Sequence, residues 1–208
     1  MGFNMNFDKE LEKAKNFHGN TCPGIVLGTR IAIAGNRRLG IKDPSKTRDL
    51  IAYVEIDRCL ADAIQAITLC SLGKRRLKHV DYGKFAATFV DTSKNRAVRV
   101  SVKEKARDWA MKYGEGHGLV KKGELVDRKQ AMSVMIEAYM KIPDRDLLNI
   151  RDVSVNIPKC DLPGLPQRKV TCAVCGESIF DEREKTENGR ILCRSCAEGA
   201  YYKSLNET

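Results

Sequence analysis

The sequence predicts an α+β core followed by a small C-terminal four-cysteine zinc domain, and three observations carry that fold class. Cys172 and Cys175 form one C-x-x-C and Cys193 and Cys196 a second, with seventeen residues between them. Helical and strand-like segments are interleaved upstream without a regular β-α-β alternation, which argues against a doubly wound sheet. Between the two lies PKCDLPGLPQRK, which holds three of the six prolines and shows no periodicity, the composition of a linker. The expected organisation is therefore a core over residues 1–157, a linker over 158–168 and a zinc module over 169–208.

The elements follow in chain order. Residues 7–16 (FDKELEKAKN) read as a short helix, followed by the loop FHGNTCPG. From Pro23 to Gly40 the pattern is helical, with proline at the first helical position and glycine as the stop. Residues 49–56 (DLIAYVEI) are β-branched, apolar and partly alternating, which is a strand. Asp57 is then expected to cap a helix over about 58–72. Residues 84–91 and 97–102 are predicted strands joined by the polar turn TSKN. Helices are expected near 103–113 and over 124–141, the second ended by Pro143. A helical turn in DRDLLNI then leads to a last strand, DVSVNIP.

The totals exclude several classes. The chain has 208 residues, 42% hydrophobic and 31% charged, the balance of a globular protein rather than a disordered one. No apolar run approaches the roughly 20 residues needed to span a bilayer, so no membrane association is expected. MGFNMNFDKELEKAKNF is too charged for a secretory signal, and Asn6 stands where a myristoylation signal needs Ser or Thr. A cytoplasmic, reducing location follows as the expectation, with the eight cysteines as thiols or metal ligands. The net charge is +10. From Arg168 onward there are seven basic and seven acidic residues, so the surplus lies in the first 167, with 30 basic and 20 acidic groups. Clusters at Arg37–Arg38, at Lys74, Arg75, Arg76 and Lys78, and at Lys103, Lys105 and Arg107 could attract nucleic acid or an anionic cofactor. No aromatic residues are interleaved for base stacking, which favours a solvated basic face.

The four C-terminal cysteines have the spacing of a structural zinc site, in which four thiolates close a tetrahedron. A redox C-x-x-C or two disulfides is the competing reading, and the paired spacing favours zinc. A module of this size cannot bury a self-sufficient core, so metal binding supplies its folding free energy. Four thiolates leave no open position, so the expected role is structural.

Two core cysteines share a setting. Cys22 precedes Pro23 and so falls at a helix N-cap, and Cys59 falls in the first turn of the next predicted helix. Helix N-termini present free N–H groups and a positive dipole end that favour a thiolate. His18 lies in the same glycine-bounded loop as Cys22 and can add an imidazole. The expectation is that His18, Cys22 and Cys59 converge, with Asp62 nearby, and bind a transition metal or react as thiolates. Burial as small hydrophobes is the alternative. Cys59, Asp62, Ala66 and Cys70 would share a helix face, but the two cysteines would lie about 16 Å apart on it and could not bind one ion. Gln65 points off that face. His79, among Lys and Arg, and His117, in GEGHG, read as exposed. Trp109 and Tyr113 read as core. Gly19, Gly24 and Gly28 lack dinucleotide-binding spacing and follow no strand.

The segments FHGNTCPGIVLGTRIA, EIDRCLADAIQ, LCSLGKRRL and DYGKFAATF together resemble the FmdE family, named for a subunit of formylmethanofuran dehydrogenase, over about residues 10–157. The family signature resembles His-Gly-His-x-Cys-Pro-Gly. His18, Cys22, Pro23 and Gly24 match it, while Asn20 stands where a second His is usual. Cys59, Asp62, Gln65, Cys70, Gly73 and Lys74 match the pattern downstream. The tail CAVCGESIFDERE…GRILCRSCAEGAYY resembles the DksA/TraR-type zinc finger: a knuckle, a hairpin and a helix opening at the second C-x-x-C, a treble-clef-like domain. The long coiled coil of those regulators is absent from this sequence. The resemblance implies an α+β homodimer, a role in formylmethanofuran-type one-carbon metabolism, and association with other dehydrogenase subunits. The molybdenum or tungsten pterin and iron–sulfur subunits that carry that redox chemistry are not encoded here, so an accessory metal- and thiol-containing protein is the expectation. A regulator binding nucleic acid or RNA polymerase, and a thiol oxidoreductase using Cys22 and Cys59, are the alternatives.

Overall fold

The computed structural model describes residues 5–123 and 126–205. The chain divides into two compact units, one ending at Val155 and the other beginning at Asn156.

Helix α1 (Phe7–His18) opens the first unit, with Asn6 at its N-cap accepting the Lys9 N–H at 3.1 Å. It stops at Gly19, whose φ of +93° is cheap only for glycine. Helix α2 (Pro23–Leu39) starts at Cys22 with Pro23 in its first turn and ends at Gly40, φ +75°. Twelve of its 17 residues are buried, so it is the central helix of the core rather than an amphipathic cover.

A five-stranded sheet packs against these helices in the order β2-β1-β3-β4-β5. Strand β1 (Leu50–Val54) leads through helix α3 (Cys59–Thr68) to β2 (Leu77–His79), which pairs parallel with β1. Strands β3 (Ala86–Asp91), β4 (Arg96–Val102) and β5 (Leu148–Val153) add on antiparallel. The β3–β4 hairpin turns where the Asp91 carboxylate accepts the Ser93 and Lys94 N–H groups at 3.1 and 3.3 Å. The mixed sheet with helices is the α+β core read from the sequence.

Helices α4 (Ala106–Gly116) and α5 (Arg128–Lys141) and the single turn α6 (Asp144–Leu147) complete the unit. Arg30 of α2 ties them in. Its guanidinium donates to the carbonyls of Tyr139 and Ile142, both at 2.8 Å, and to Asp144. Glu55, just past β1, is buried and takes a two-pronged bond from Arg99 on β4, 2.7 Å on each arm. Both charges keep a partner on leaving water.

Two glycines set the packing of α2. A methyl group at Gly28 would stand 2.7 Å from the Ala63 Cβ and 3.1 Å from the Leu60 Cα of α3. One at Gly35 would stand 2.3 Å from the ring of Phe89 on β3. These glycines are contact surfaces for a helix and for a buried ring.

Several local expectations are corrected. Asp57 does not cap α3; Arg58 holds the N-cap position and makes no side-chain cap bond. The helix ends at Thr68, four residues early, because Leu69 turns left-handed at φ +59°. Cys70 therefore lies beyond the helix; it is buried, and its thiol donates to the Leu50 carbonyl at 3.4 Å. Strand β2 lies inside the run read only as a basic cluster. The last helical turn is shorter than expected, and LLNI belongs largely to β5. Helix α4 extends into GEGHG, where His117 is exposed and stacks on Tyr113 with ring centroids 3.9 Å apart. Trp109 and Tyr113 pack against the core. The start expected for α5 at 124 lies outside the described residues.

The second unit contains a 3-10 turn, Lys159–Asp161, then β6 (Lys169–Thr171) paired with β7 (Ser178–Phe180), β8 (Lys185–Glu187) paired with β9 (Arg190–Leu192), and the short helix α7 (Arg194–Glu198). The proline-rich segment is ordered into the unit: Cys160 is buried and Asp161 pairs with Arg183. The buried apolar cluster is only Cys172, Ile179 and Leu192, too little to hold a domain together without help.

Gly35→Ala is expected to lower stability by about 1–3 kcal/mol through overpacking against Phe89. Gly73→Ala, at a site with nothing within 4 Å, should stay within about 0.5 kcal/mol of the parent. Urea unfolding of both variants, and of Gly35→Ala combined with Phe89→Leu, checks this. The double variant should recover part of the loss if the clash is the cause.

Candidate metal centre

Two groups of metal-binding side chains converge among the described residues. In the second unit the ligand atoms of Cys172, Cys175, Cys193 and Cys196 lie within 4.8 Å of one another. The sulfurs of Cys175 and Cys193 are 3.8 Å apart, the edge of a tetrahedron with zinc–sulfur bonds of about 2.3 Å. Each pair sits where the backbone turns. The Gly176 N–H bonds back to the Cys172 carbonyl at 3.1 Å, and Cys193 is the N-cap of α7. The turn backbone faces the sulfurs, as in the 3.3 Å bond from the Cys193 N–H to the Cys172 sulfur.

Those bonds shape the ionisation of the cluster. The N–H groups of Cys175, Cys193 and Val174 bring the Cys172 thiol down to about 6. Cys193 is also lowered, first by the Ser195 hydroxyl, 3.1 Å away. Cys196 is pushed up to about 12, mainly by its hydrogen bond with Cys193. Four thiols this close cannot all ionise without a cation between them, and a divalent ion removes that obstacle.

In the first unit His18, Cys22 and Cys59 are brought together from three helices, with ligand atoms within 4.8 Å of one another. His18 is the last residue of α1. The left-handed turn at Gly19 sends the chain back, so that Cys22 at the N-cap of α2 faces the imidazole, Sγ to Nε2 4.0 Å. The Cys22 sulfur accepts the Ile25 N–H at 3.4 Å. Cys59 is the first residue of α3. Asp62, one turn on, bonds the other imidazole nitrogen, Oδ2 to Nδ1 2.7 Å. With Nδ1–H donated to the carboxylate, Nε2 keeps its lone pair for the cluster, the arrangement by which carboxylates orient metal-binding histidines.

The residues fit a metal. Their donors are two sulfurs and one imidazole nitrogen, all half-buried, and Gly24 keeps the space beside them clear. A Cβ there would stand 3.1 Å from the Cys59 Cβ and 3.4 Å from its sulfur. The expected thiolate at Cys59 is not what the metal-free geometry favours. Burial first, then the hydrogen bond and charge of Cys22, push the Cys59 thiol up, which outweighs the α3 dipole. A cation between the sulfurs reverses that balance. Asn20 is exposed. Cys70 does not join the group, and its thiol is pushed up by burial. Asp62 is the residue whose role sequence spacing does not reveal: the helical repeat brings it near the cluster, and the structure puts it on His18.

Zinc binding by the second unit should release about two protons per ion near neutral pH, chiefly from Cys175 and Cys196, whose thiols are raised. Cys172 works in the other direction. Its lowered value stabilises the folded thiolate form above the ordinary thiol range, and that contribution is lost as pH falls through about 6. Calorimetry of zinc binding in buffers of different ionisation enthalpy counts the protons. An uptake of protons, or none exchanged, contradicts this account.

Comparison with known proteins agrees with the geometry. Residues 17–149 match the family described as "FmdE, Molybdenum formylmethanofuran dehydrogenase operon". Residues 167–202 match the prokaryotic dksA/traR C4-type zinc finger. A protein of Archaeoglobus fulgidus described as a probable S-adenosyl-L-methionine-binding protein is 31% identical over 200 residues, 92% of this chain and 53% of its own length. The chain thus spans about half the length of that curated relative. The crystal structure of an FmdE-like protein of tungsten formylmethanofuran dehydrogenase type from Syntrophus aciditrophicus superposes with a TM-score of 0.61 at 24% identity, covering 96% of each chain, a likeness of fold. With the family match spanning both the cysteine-capped helix and the sheet, the chain belongs to the FmdE family and carries a C4-type zinc finger at its C-terminal end.

Proposed function

We propose that this protein is a metal-dependent accessory of formylmethanofuran-type one-carbon metabolism. Its working centre is a transition metal held by His18, Cys22 and Cys59, and its finger is structural. One observation supports this above the others. Three ligand atoms from three helices lie within 4.8 Å, and a carboxylate sits on the far nitrogen of the imidazole. Buried packing alone gives no reason for that carboxylate.

Three protein ligands leave one tetrahedral position for water or substrate, the pattern of a catalytic zinc site rather than a closed one. The metal, when bound, supplies Lewis acidity at that position. His18 presents Nε2, Asp62 fixes its ring, and the N-termini of α2 and α3 steady the two sulfurs. The finger offers four thiolates and no such vacancy. Association with other subunits of a dehydrogenase, and a homodimer, belong to this reading through the family. S-adenosyl-L-methionine, named for the archaeal relative, is a ligand to try in the same assays.

A dithiol function for Cys22 and Cys59 draws on the same proximity of their sulfurs and is the second reading. A nucleic-acid role gains less, because much of the basic surplus is paired internally: Arg30 and Arg37 with Asp144, Arg38 with Asp152, and Arg99 with Glu55.

Elemental analysis of the full chain should find about two ions per protein, falling to about one in Cys59→Ser and to about one in Cys175→Ser. A parent carrying a single ion, lost only in Cys175→Ser, sinks the core centre and leaves the dithiol reading. Asp62→Asn should keep the fold and weaken core metal binding by about 10–100-fold in a competition titration with a chelator. Unchanged affinity means that Asp62 does not orient the ligand.

A further inference from the structure

We propose that the open position of the core centre takes an exogenous thiol, bound as its thiolate. This rests on the reading that His18, Cys22 and Cys59 hold a metal, and it names what comes to the fourth place.

The donor set is the first reason. Two sulfurs and an imidazole are soft and borderline ligands, and a centre already rich in sulfur prefers another soft donor to a hydrated oxygen anion. Two thiolates also give charge to the metal, which weakens its hold on water and its power to acidify it. A hydrolytic role is therefore the poorer match to this ligand set.

Charge is the second reason. Two thiolates balance a divalent ion, and a third leaves the centre with one net negative charge. The structure supplies positive potential at that place from two directions. Cys22 caps the N-terminus of the 17-residue α2 and Cys59 opens the 10-residue α3, so both positive dipole ends meet at the cluster. Helix α3 has no side-chain cap, and the residue at its N-cap is the exposed Arg58. An incoming anion would occupy the place that a capping side chain fills elsewhere.

The wall beside the sulfur is the third. The point where a Gly24 Cβ would lie is 3.4 Å from the Cys59 sulfur and 3.5 Å from the Phe85 ring edge. Absence of a side chain at Gly24 leaves room next to Cys59, and Phe85 makes that room apolar. A sulfur with its attached carbon suits such a wall better than a carboxylate, which would lose hydration there.

Cobalt(II) in place of the native metal tests this on the full chain, because sulfur–cobalt bonds absorb in the near-ultraviolet and the visible bands report coordination. Subtracting the spectrum of Cys59→Ser from that of the parent isolates the core centre. Titration with 2-mercaptoethanol should raise the core charge-transfer intensity by about half, from two sulfur–metal bonds to three. Half-saturation should need at least about tenfold less thiol than acetate. A spectrum that responds to acetate and not to thiol overturns the proposal in favour of an oxygen ligand. A core spectrum that responds to neither, with cobalt bound, shows a fourth protein ligand and overturns it too. If the parent and Cys59→Ser bind equal cobalt, the metal reading itself fails and the thiol proposal falls with it.

Discussion

The close approach of α2 to α3 is the contact on which the rest of the first unit depends. Helix axes normally stay 8–10 Å apart because side chains stand between them. Here Gly28 removes one such side chain against Ala63 and Leu60, and Gly24 removes another against Cys59. The two helices can then begin side by side, and the cysteine at each beginning comes within bonding range of one ion. The same helix presses Gly35 onto Phe89 of the sheet, so the position of the sulfurs is referred to the strands as well. A small-residue stripe thus converts helix packing into ligand geometry.

Electrostatics then decides what state the sulfurs hold. Without a cation, burial and the neighbouring thiol keep Cys59 protonated despite the helix dipole. The finger is different, because turn N–H groups point at Cys172 and hold it ionised near neutrality. The two cysteine groups are therefore prepared to different degrees. In the finger the backbone has already drawn charge onto one sulfur and the apolar core is minimal, so metal and fold arrive together. In the core the scaffold stands on its own apolar packing, and the ion has to displace protons from a framework that already exists.

Much of this was legible in the sequence. The cysteine spacing of the finger, the capping position of Cys22 and the long apolar helix after Pro23 all follow from local chemistry, and local chemistry is what a sequence displays. The glycines of α2 were visible too, but spacing could say only that they are not a dinucleotide loop; what they touch is a tertiary fact. Strand β2 was hidden because three residues in a basic run carry no periodicity, and its pairing with β1 comes from the crossover through α3. The early end of α3 was hidden for a related reason. Leu69 adopts a left-handed conformation that leucine disfavours, so no propensity argument would stop the helix there. Asp62 showed the right face and turn, but its bond to His18 joins residues 44 apart in sequence.

The segment between the two expected domains has a consequence for how this protein could be taken apart or rebuilt. Its prolines suggested a tether, yet it carries a 3-10 turn, a buried cysteine and an aspartate that meets Arg183 beyond the first zinc knuckle. The natural seam therefore falls after Val155, more than ten residues ahead of the first strand of the finger. A finger transplanted onto another scaffold from residue 169 would arrive without its own doorstep, whereas one moved from residue 156 carries it along as part of the module.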